Sequence, residues 1–247
     1  MKSIVIVGCG SRECAVLMKF INTNYAKTYT FYTVGTYLNP FMVENSTFLL
    51  VNSLTSKEIM KLTVFDNDVE LVFIGPEQPI VEGLVDKLEM KGIFCIAPKK
   101  NMALIESSKA FTRNLLEKNN MMKYNPIFKV VKKDTMFEDL MAEIEHFNKQ
   151  KVIKKNGLCG GKGVYVEGDH FSDINSEFML LNDLKNYIKT DDIVIEEKLI
   201  GLEFSLMSLV DRKGNMTHLR PVFDYKRLYD DDFILAEADQ TYNYLSN

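Results

Sequence analysis

The chain has 247 residues, 46% of them hydrophobic and 26% charged, with a formal net charge of −4. Such a balance can bury a real core in one large domain or in two to three small ones, and it argues against general attraction to nucleic acid or an anionic membrane. The cysteines (Cys9, Cys14, Cys95, Cys159) show neither metal-ligand pairing nor disulfide spacing, and the histidines are scattered, so a zinc site is not expected. The amino-terminal apolar run is too short for a signal peptide, and no stretch approaches transmembrane length. These features predict a soluble cytoplasmic protein without nucleic-acid or membrane partners, in which any anionic ligand is held by a local site.

The first element, SIVIV (3–7), is a continuous apolar run ending in Gly8-Cys9-Gly10, the pattern of a strand buried on both faces. Ala15, Val16, Leu17, Phe20 and Ile21 then recur at helical spacing, and TFYTV (30–34) reads as a second strand. TFLLV (47–51), ELVFI (70–74) and IFCI (93–96) supply further buried strands. Between the last two, Val81, Leu84, Val85 and Leu88 form one helical stripe that stops at Gly92. Alternating strands and helices imply an α/β fold with a parallel sheet, Rossmann-like, over residues 1–104.

The second unit, 105–247, opens with a short helix starting at Ser107 or Ser108. Thr135-Met-Phe-Glu138 has capping-box spacing ahead of an apolar helical face formed by Phe137, Leu140, Met141, Ile144 and Phe147. KVIK (151–154), a glycine loop and GVYVE (163–167) read as strand, loop, strand, inside a small α+β lobe covering about 122–190. IVIEE (193–197) and EFSLMSLV (203–210) read as the last strands.

Two glycine loops stand out. The first, Gly8 to Glu13, lies at a strand-to-helix junction, where backbone N–H groups and the helix dipole favour an anion. A dinucleotide fingerprint would place its third glycine where Glu13 stands, and the acid-free run from Cys14 to Val43 offers no ribose ligand, so NAD is disfavoured. A ligand-free tight turn and a phosphate loop both fit, with Arg12 favouring the phosphate. The second loop, GLCGGKG (157–163), is not a Walker A motif, because Asn156 and Gly163 occupy positions that need glycine and Ser/Thr. It reads either as a solvated hairpin or as a glycine-rich flap that covers a triphosphate, with Lys154 and Lys162 neutralising charge.

Taken in order, six segments resemble glycinamide ribonucleotide synthetase (phosphoribosylamine–glycine ligase), of the ATP-grasp superfamily: GCGSRECA (8–15), IGPEQPIVEGLVD (74–86), ESSKAFTRNLL (106–116), VIKKNGLCGGKGVYV (152–166), VIEEKLIGLEFSLM (194–207) and, more weakly, PVFDYKR (221–227). The resemblance implies that ATP converts the carboxylate of glycine into an acyl phosphate, which the amine of phosphoribosylamine attacks, in de novo purine biosynthesis. Lys109 and Lys154 would meet the nucleotide phosphates, and Gly160, Gly161, Lys162 and Gly163 would cover them as a lid. Glu196, Glu197 and Leu199 would border adenine, with Glu203 at the ribose. Gly10, Arg12, Glu13, Pro76 and Glu77 match loops at the phosphoribosylamine end, and Asp224, Lys226 and Arg227 match the segment near glycine and the transferred phosphate.

The sequence also departs from the family. Cys14 and Tyr225 replace usual histidines, and the long second half of the ATP-grasp core, which supplies the magnesium ligands, is not found after DYKR. No metal ligand is assigned in this chain; Asp230-Asp-Asp232 reads as a solvated acidic turn. Two expectations follow: a ligase whose core is completed by a second chain or by self-association, or a truncated non-catalytic homologue that binds nucleotide or a partner protein.

Overall fold

The computed structural model describes residues 2–160, 162–211 and 213–223. Contacts divide the chain into two units, Met1–Ser107 and Ser108–Asn247. The first runs β1 (Lys2–Val7), α1 (Ser11–Ile21), β2 (Tyr29–Gly35), α2 (Pro40–Asn45), β3 (Thr47–Leu50), α3 (Ser56–Ile59), β4 (Val69–Ile74), α4 (Glu77–Val81), α5 (Leu84–Met90), β5 (Phe94–Ile96) and α6 (Leu104–Ser107). Its strands form a parallel sheet in the order β3-β2-β1-β4-β5. Side chains alternate across β1, so Ile4 and Ile6 enter one core with Leu17, Phe31 and Met42, while Val5 and Val7 enter the other with Val72, Leu84 and Leu88. A strand that feeds two cores has no polar face, which is why β1 is apolar from Ile4 to Val7.

The stripe from Val81 to Leu88 is not one helix. Gly83 adopts a left-handed φ of +82°, which separates α4 from α5. Gly92 ends α5 as expected: at φ +80° its N–H bonds to the Glu89 carbonyl, and the Ile93 N–H to that of Leu88. The sequence reading also passed over α2, which Asn39 caps from its side chain and Pro40 opens.

The second unit runs α7 (Lys109–Lys118), β6 (Phe128–Val131), α8 (Phe137–His146), β7 (Lys151–Lys155), β8 (Val164–Val166), α9 (Ile174–Tyr187), β9 (Ile193–Glu197), β10 (Phe204–Ser205), β11 (Ser208–Val210), β12 (Met216–His218) and β13 (Val222–Phe223). An antiparallel sheet has the order β6-β9-β7-β8. One face packs Val131, Ile153, Ile193 and Ile195 against Leu140 and Ile144 of α8 and Leu180 and Leu184 of α9. The register places Lys154, Val152, Val194, Glu196, Val130 and Val164 together on the other face.

Two expectations need correction here. Thr135 does not cap α8: its hydroxyl bonds to the Lys132 carbonyl in the preceding turn, and Met136 takes the N-cap position without a side-chain bond. The run 203–210 is not one strand, because its two ends pair with different partners, β10 with β13 and β11 with β12. Its apolar residues are exposed, Phe204 and Leu209 among them. Both β6 and α9 were missed from sequence. Among the described residues, no helix is long and apolar enough to cross a membrane.

Candidate functional site

In the first unit the chain reverses sheet direction between β1 and β4, which are neighbours in the sheet, and ligands of open α/β sheets bind beyond the carboxyl ends of strands at such a switch point. The two loops there are the ones the motifs single out. The Glu13 carboxylate is buried and accepts the Gly10 N–H at 2.8 Å, the glutamate half of a capping box at the start of α1, since Gly10 has no side chain to bond in return. It also lies so close to Gly75 that a Cβ there would overlap its Oε1. Glu13 therefore ties the β1–α1 loop to the β4–α4 loop, and it already engages an amide that a phosphate could have used. At the rim, Arg12 Nη1 stands 3.7 Å from Glu77 Oε1, with both side chains at least half exposed. A pair that open to water is weakly held, so Arg12 can turn to an anionic ligand.

In the second unit the charged centre is Glu196, 3% exposed on β9. Arg113 of α7 grips it with two bonds, Nε to Oε1 at 2.6 Å and Nη2 to Oε2 at 3.1 Å, and Lys154 of β7 reaches Oε2 at 2.6 Å. Burial alone would push this carboxyl up, but the Arg113 and Lys154 bonds and charges outweigh it and hold it below the ordinary carboxylate range. The half-buried Val130, Val152, Val164 and Val166 share its face of the sheet. An apolar face with a few convergent polar groups has the composition of a small-molecule site.

The glycine loop leaves this centre through Asn156, a buried hub. Its Oδ1 accepts from Ser108 Oγ and the Ala110 N–H, its Nδ2 donates to Asp191, and its carbonyl accepts from Lys109 Nζ at 3.2 Å. Lys109 Nζ donates also to the Gly157 carbonyl at 3.0 Å, which supplies this first-turn lysine with partners inside the fold. Tyr187 accepts the Gly157 N–H, and burial, with the Asp191 charge adding to it, pushes its hydroxyl up to about 12. Beside it, Asp183 receives both the Lys155 ammonium and the Tyr165 hydroxyl, which raises the Tyr165 value further than burial does alone. Within the loop Gly160 has φ +56°, and Gly163 is backed so closely by Cys159 that a Cβ there would stand 2.9 Å from its sulfur.

Lys154 and Glu196 thus meet on adjacent strands, Gly160, Lys162 and Gly163 lie in the loop that follows β7, and Lys109 bonds to the entry of that loop from α7. The Lys162 N–H bonds to the Cys159 carbonyl, with its side chain exposed. Glu197 instead accepts the Ile127 N–H at 2.9 Å, joining β9 to the start of β6. Leu199 and Glu203 are exposed beyond β9. Gly161, Asp224, Lys226 and Arg227 lie outside the described residues. Arg113, Asn125 and Asn156 were missed as site residues, although Arg113 stands four residues after Lys109, on the same helix face.

Two models of one family together match residues 2–236. The N domain of phosphoribosylglycinamide synthetase matches residues 2–106, and the ATP-grasp (A) domain of the same enzyme matches residues 107–236. The chain belongs to the phosphoribosylglycinamide synthetase family. The phosphoribosylamine–glycine ligase of Methanocella arvoryzae is 34% identical over 233 residues, covering 93% of this chain and 50% of that protein. That of Methanosphaera stadtmanae is 37% identical over 232 residues, covering 89% and 48%. The chain therefore spans about half the length of these relatives.

Among solved structures, the phosphoribosylamine–glycine ligase of Thermotoga maritima shares the fold at a TM-score of 0.68 and 24% identity, over 94% of this chain and 52% of that one. N5-carboxyaminoimidazole synthetase from Staphylococcus aureus, solved with ADP, aligns at a TM-score of 0.64 and 15% identity, over 91% and 55%. The two family matches meet between residues 106 and 107, one residue from the division between contact units.

Proposed function

We propose that this chain carries the nucleotide and phosphoribosylamine sites of an ATP-dependent carboxylate–amine ligase that joins glycine to phosphoribosylamine. The observation that carries the reading is the buried Glu196 with its two cations on a valine-rich sheet face, beside a glycine hairpin. A carboxylate accepts from an exocyclic amine, valines take the flat face of a base, and lysines meet phosphates. Lys154 and Lys109 would hold the phosphates, and Gly160, Gly161, Lys162 and Gly163 would close over them and exclude water. Glu197, Leu199 and Glu203 would border adenine and ribose. Gly10, Arg12, Glu13, Pro76 and Glu77 would form the phosphoribosylamine end, with Glu13 acting as the clamp between loops.

A carboxylate oxygen is a poor leaving group. Its attack on the terminal phosphorus of ATP releases ADP and gives glycyl phosphate; the amine then forms the new C–N bond, the C–O bond to phosphate breaks, and the amine gives up a proton. Asp224, Lys226 and Arg227 are the residues we assign next to that transfer. The protein's share is positioning and charge compensation. Magnesium, which such chemistry implies, finds no donor set among the described residues: no group of three His, Cys, Asp or Glu converges, and Glu196 and Glu197 are engaged by Arg113, Lys154 and the Ile127 amide.

Lys154→Ala tests the site, because Glu196 keeps its two bonds to Arg113 and the fold keeps its paired carboxylate. Loss of one charge-assisted phosphate contact should weaken ADP binding about tenfold to a hundredfold by calorimetry. Unchanged affinity would refute the assignment.

A second, compatible reading comes from the apolar surface at Leu199, Ile200, Leu202, Phe204, Val222 and Phe223, all more than half exposed. Surface of this kind marks a place covered by polypeptide. The occupant we propose is the remaining half of an ATP-grasp core, on the same or a second chain. Adding the separately produced second half of the Methanocella arvoryzae relative should give a complex by size-exclusion chromatography, with ADP formed from ATP, glycine and phosphoribosylamine. A complex without ADP would favour a binding module over a ligase, and no complex would remove the docking proposal.

A further inference from the structure

The sheet face described above holds one carboxylate and two cations, and their arrangement is unequal. Arg113 alone meets both Glu196 oxygens, while Lys154 shares only Oε2. The guanidinium is itself fixed by Asn125, which accepts from its Nη1 at 3.2 Å and donates to the Arg113 backbone carbonyl at 3.0 Å. A planar fork bound at two oxygens and steadied from behind is a full counter-ion for the carboxylate. One negative charge against two positive charges leaves the trio with a net charge of +1. Without Arg113, Lys154 and Glu196 would cancel each other.

We infer that Arg113 is a positioning residue that neutralises Glu196, so that the charge of Lys154 remains available to an anionic ligand. The inference rests on the nucleotide reading of this site and adds to it a specific role for a residue that touches no ligand. It also accounts for the geometry of α7. Lys109 and Arg113, four residues apart, project from one face of the helix, the first onto the entry of the glycine loop and the second onto β9. One helix thereby supports both ends of the phosphate-facing segment.

The measurement is the ratio of affinities for ADP and adenosine, which cancels contributions from the base. Wild type should prefer ADP. Arg113→Met should lower that preference about tenfold, and Arg113→Lys should retain most of it, since a cation still faces the carboxylate. The double variant Arg113→Met with Glu196→Gln again has a net charge of +1, so its preference for ADP should recover to within a few-fold of wild type. That pair leaves no buried carboxylate unpaired, and Arg113→Lys, which keeps a cation against Glu196, gives a second readout should Arg113→Met alone not fold. A purely structural role predicts the opposite order, with the double variant no better than the single one or both ligands lost together; either result overturns the inference, as does an unchanged ratio in Arg113→Met. Wild type that binds neither ligand would overturn the nucleotide reading and, with it, the role assigned to Arg113.

Discussion

Glu196→Gln is expected to destabilise the second unit by about 3–5 kcal/mol at neutral pH, the usual consequence of removing one partner from a buried ion pair. The amide keeps the shape of the side chain but leaves Arg113 and Lys154, whose side chains are only 21% and 23% exposed, facing a neutral group. Hydrogen exchange read segment by segment is the appropriate measurement. The chain has no tryptophan to report unfolding, and exchange in β7 and β9 reports this unit separately from the first.

The sign of its pH dependence is fixed. The folded Glu196 carboxyl lies below its unfolded value, so its contribution is fully present above the ordinary glutamate range, about 4.3, and is lost as pH falls through the folded value. The gap between wild type and Glu196→Gln should therefore be widest near neutrality and close on acidification. A loss under about 1 kcal/mol at neutral pH, or a gap that stays constant into acid, would show that the triad does not hold this sheet.

Much of the architecture was legible because local pattern and burial coincide. The strand β1 reads apolar from Ile4 to Val7 since these side chains alternate into two cores, and Gly92 reads as a helix stop because its left-handed backbone is the reason glycine is there. Where pattern and burial diverge, reading failed. In α9 the buried Leu180 and Leu184, with Ile188 just past its end, repeat every fourth residue, but the exposed Phe178 and Met179 lie off that stripe and hide it. The run from Glu203 to Val210 alternates like a half-buried strand, yet Phe204 and Leu209 are exposed and the two halves pair separately. The candidate site divides in the same way. Motif residues Lys154 and Glu196 could be named from sequence, while Arg113 acquires its meaning only from a partner 83 residues away. In sequence Asn156 reads only as a departure from a Walker A loop, and its buried hydrogen bonds explain why glycine would not serve there.

Gly75→Ala should cost the first unit about 3 kcal/mol, combining overpacking with displacement of a charge-assisted hydrogen bond. Gly75 is not among the residues with left-handed backbone, so the effect is steric and not conformational. Its Cβ would overlap Glu13 Oε1 and stand 2.6 Å from Cδ. Glu13 has little room to retreat, because a Cβ on Gly8 would already lie 2.7 Å from that same carboxyl carbon, and moving the group breaks its bond to the Gly10 amide. Glu13→Ala alone should cost less, since it leaves one amide near the surface without its cap. In the Glu13→Ala background the alanine methyl enters space the carboxylate has vacated, so Gly75→Ala should be nearly neutral. Exchange of the β1 and β4 amides in the four proteins of this cycle reads the coupling directly. Additive losses would mean that the two loops are not joined through Glu13, and that the loops proposed for phosphoribosylamine lack their clamp.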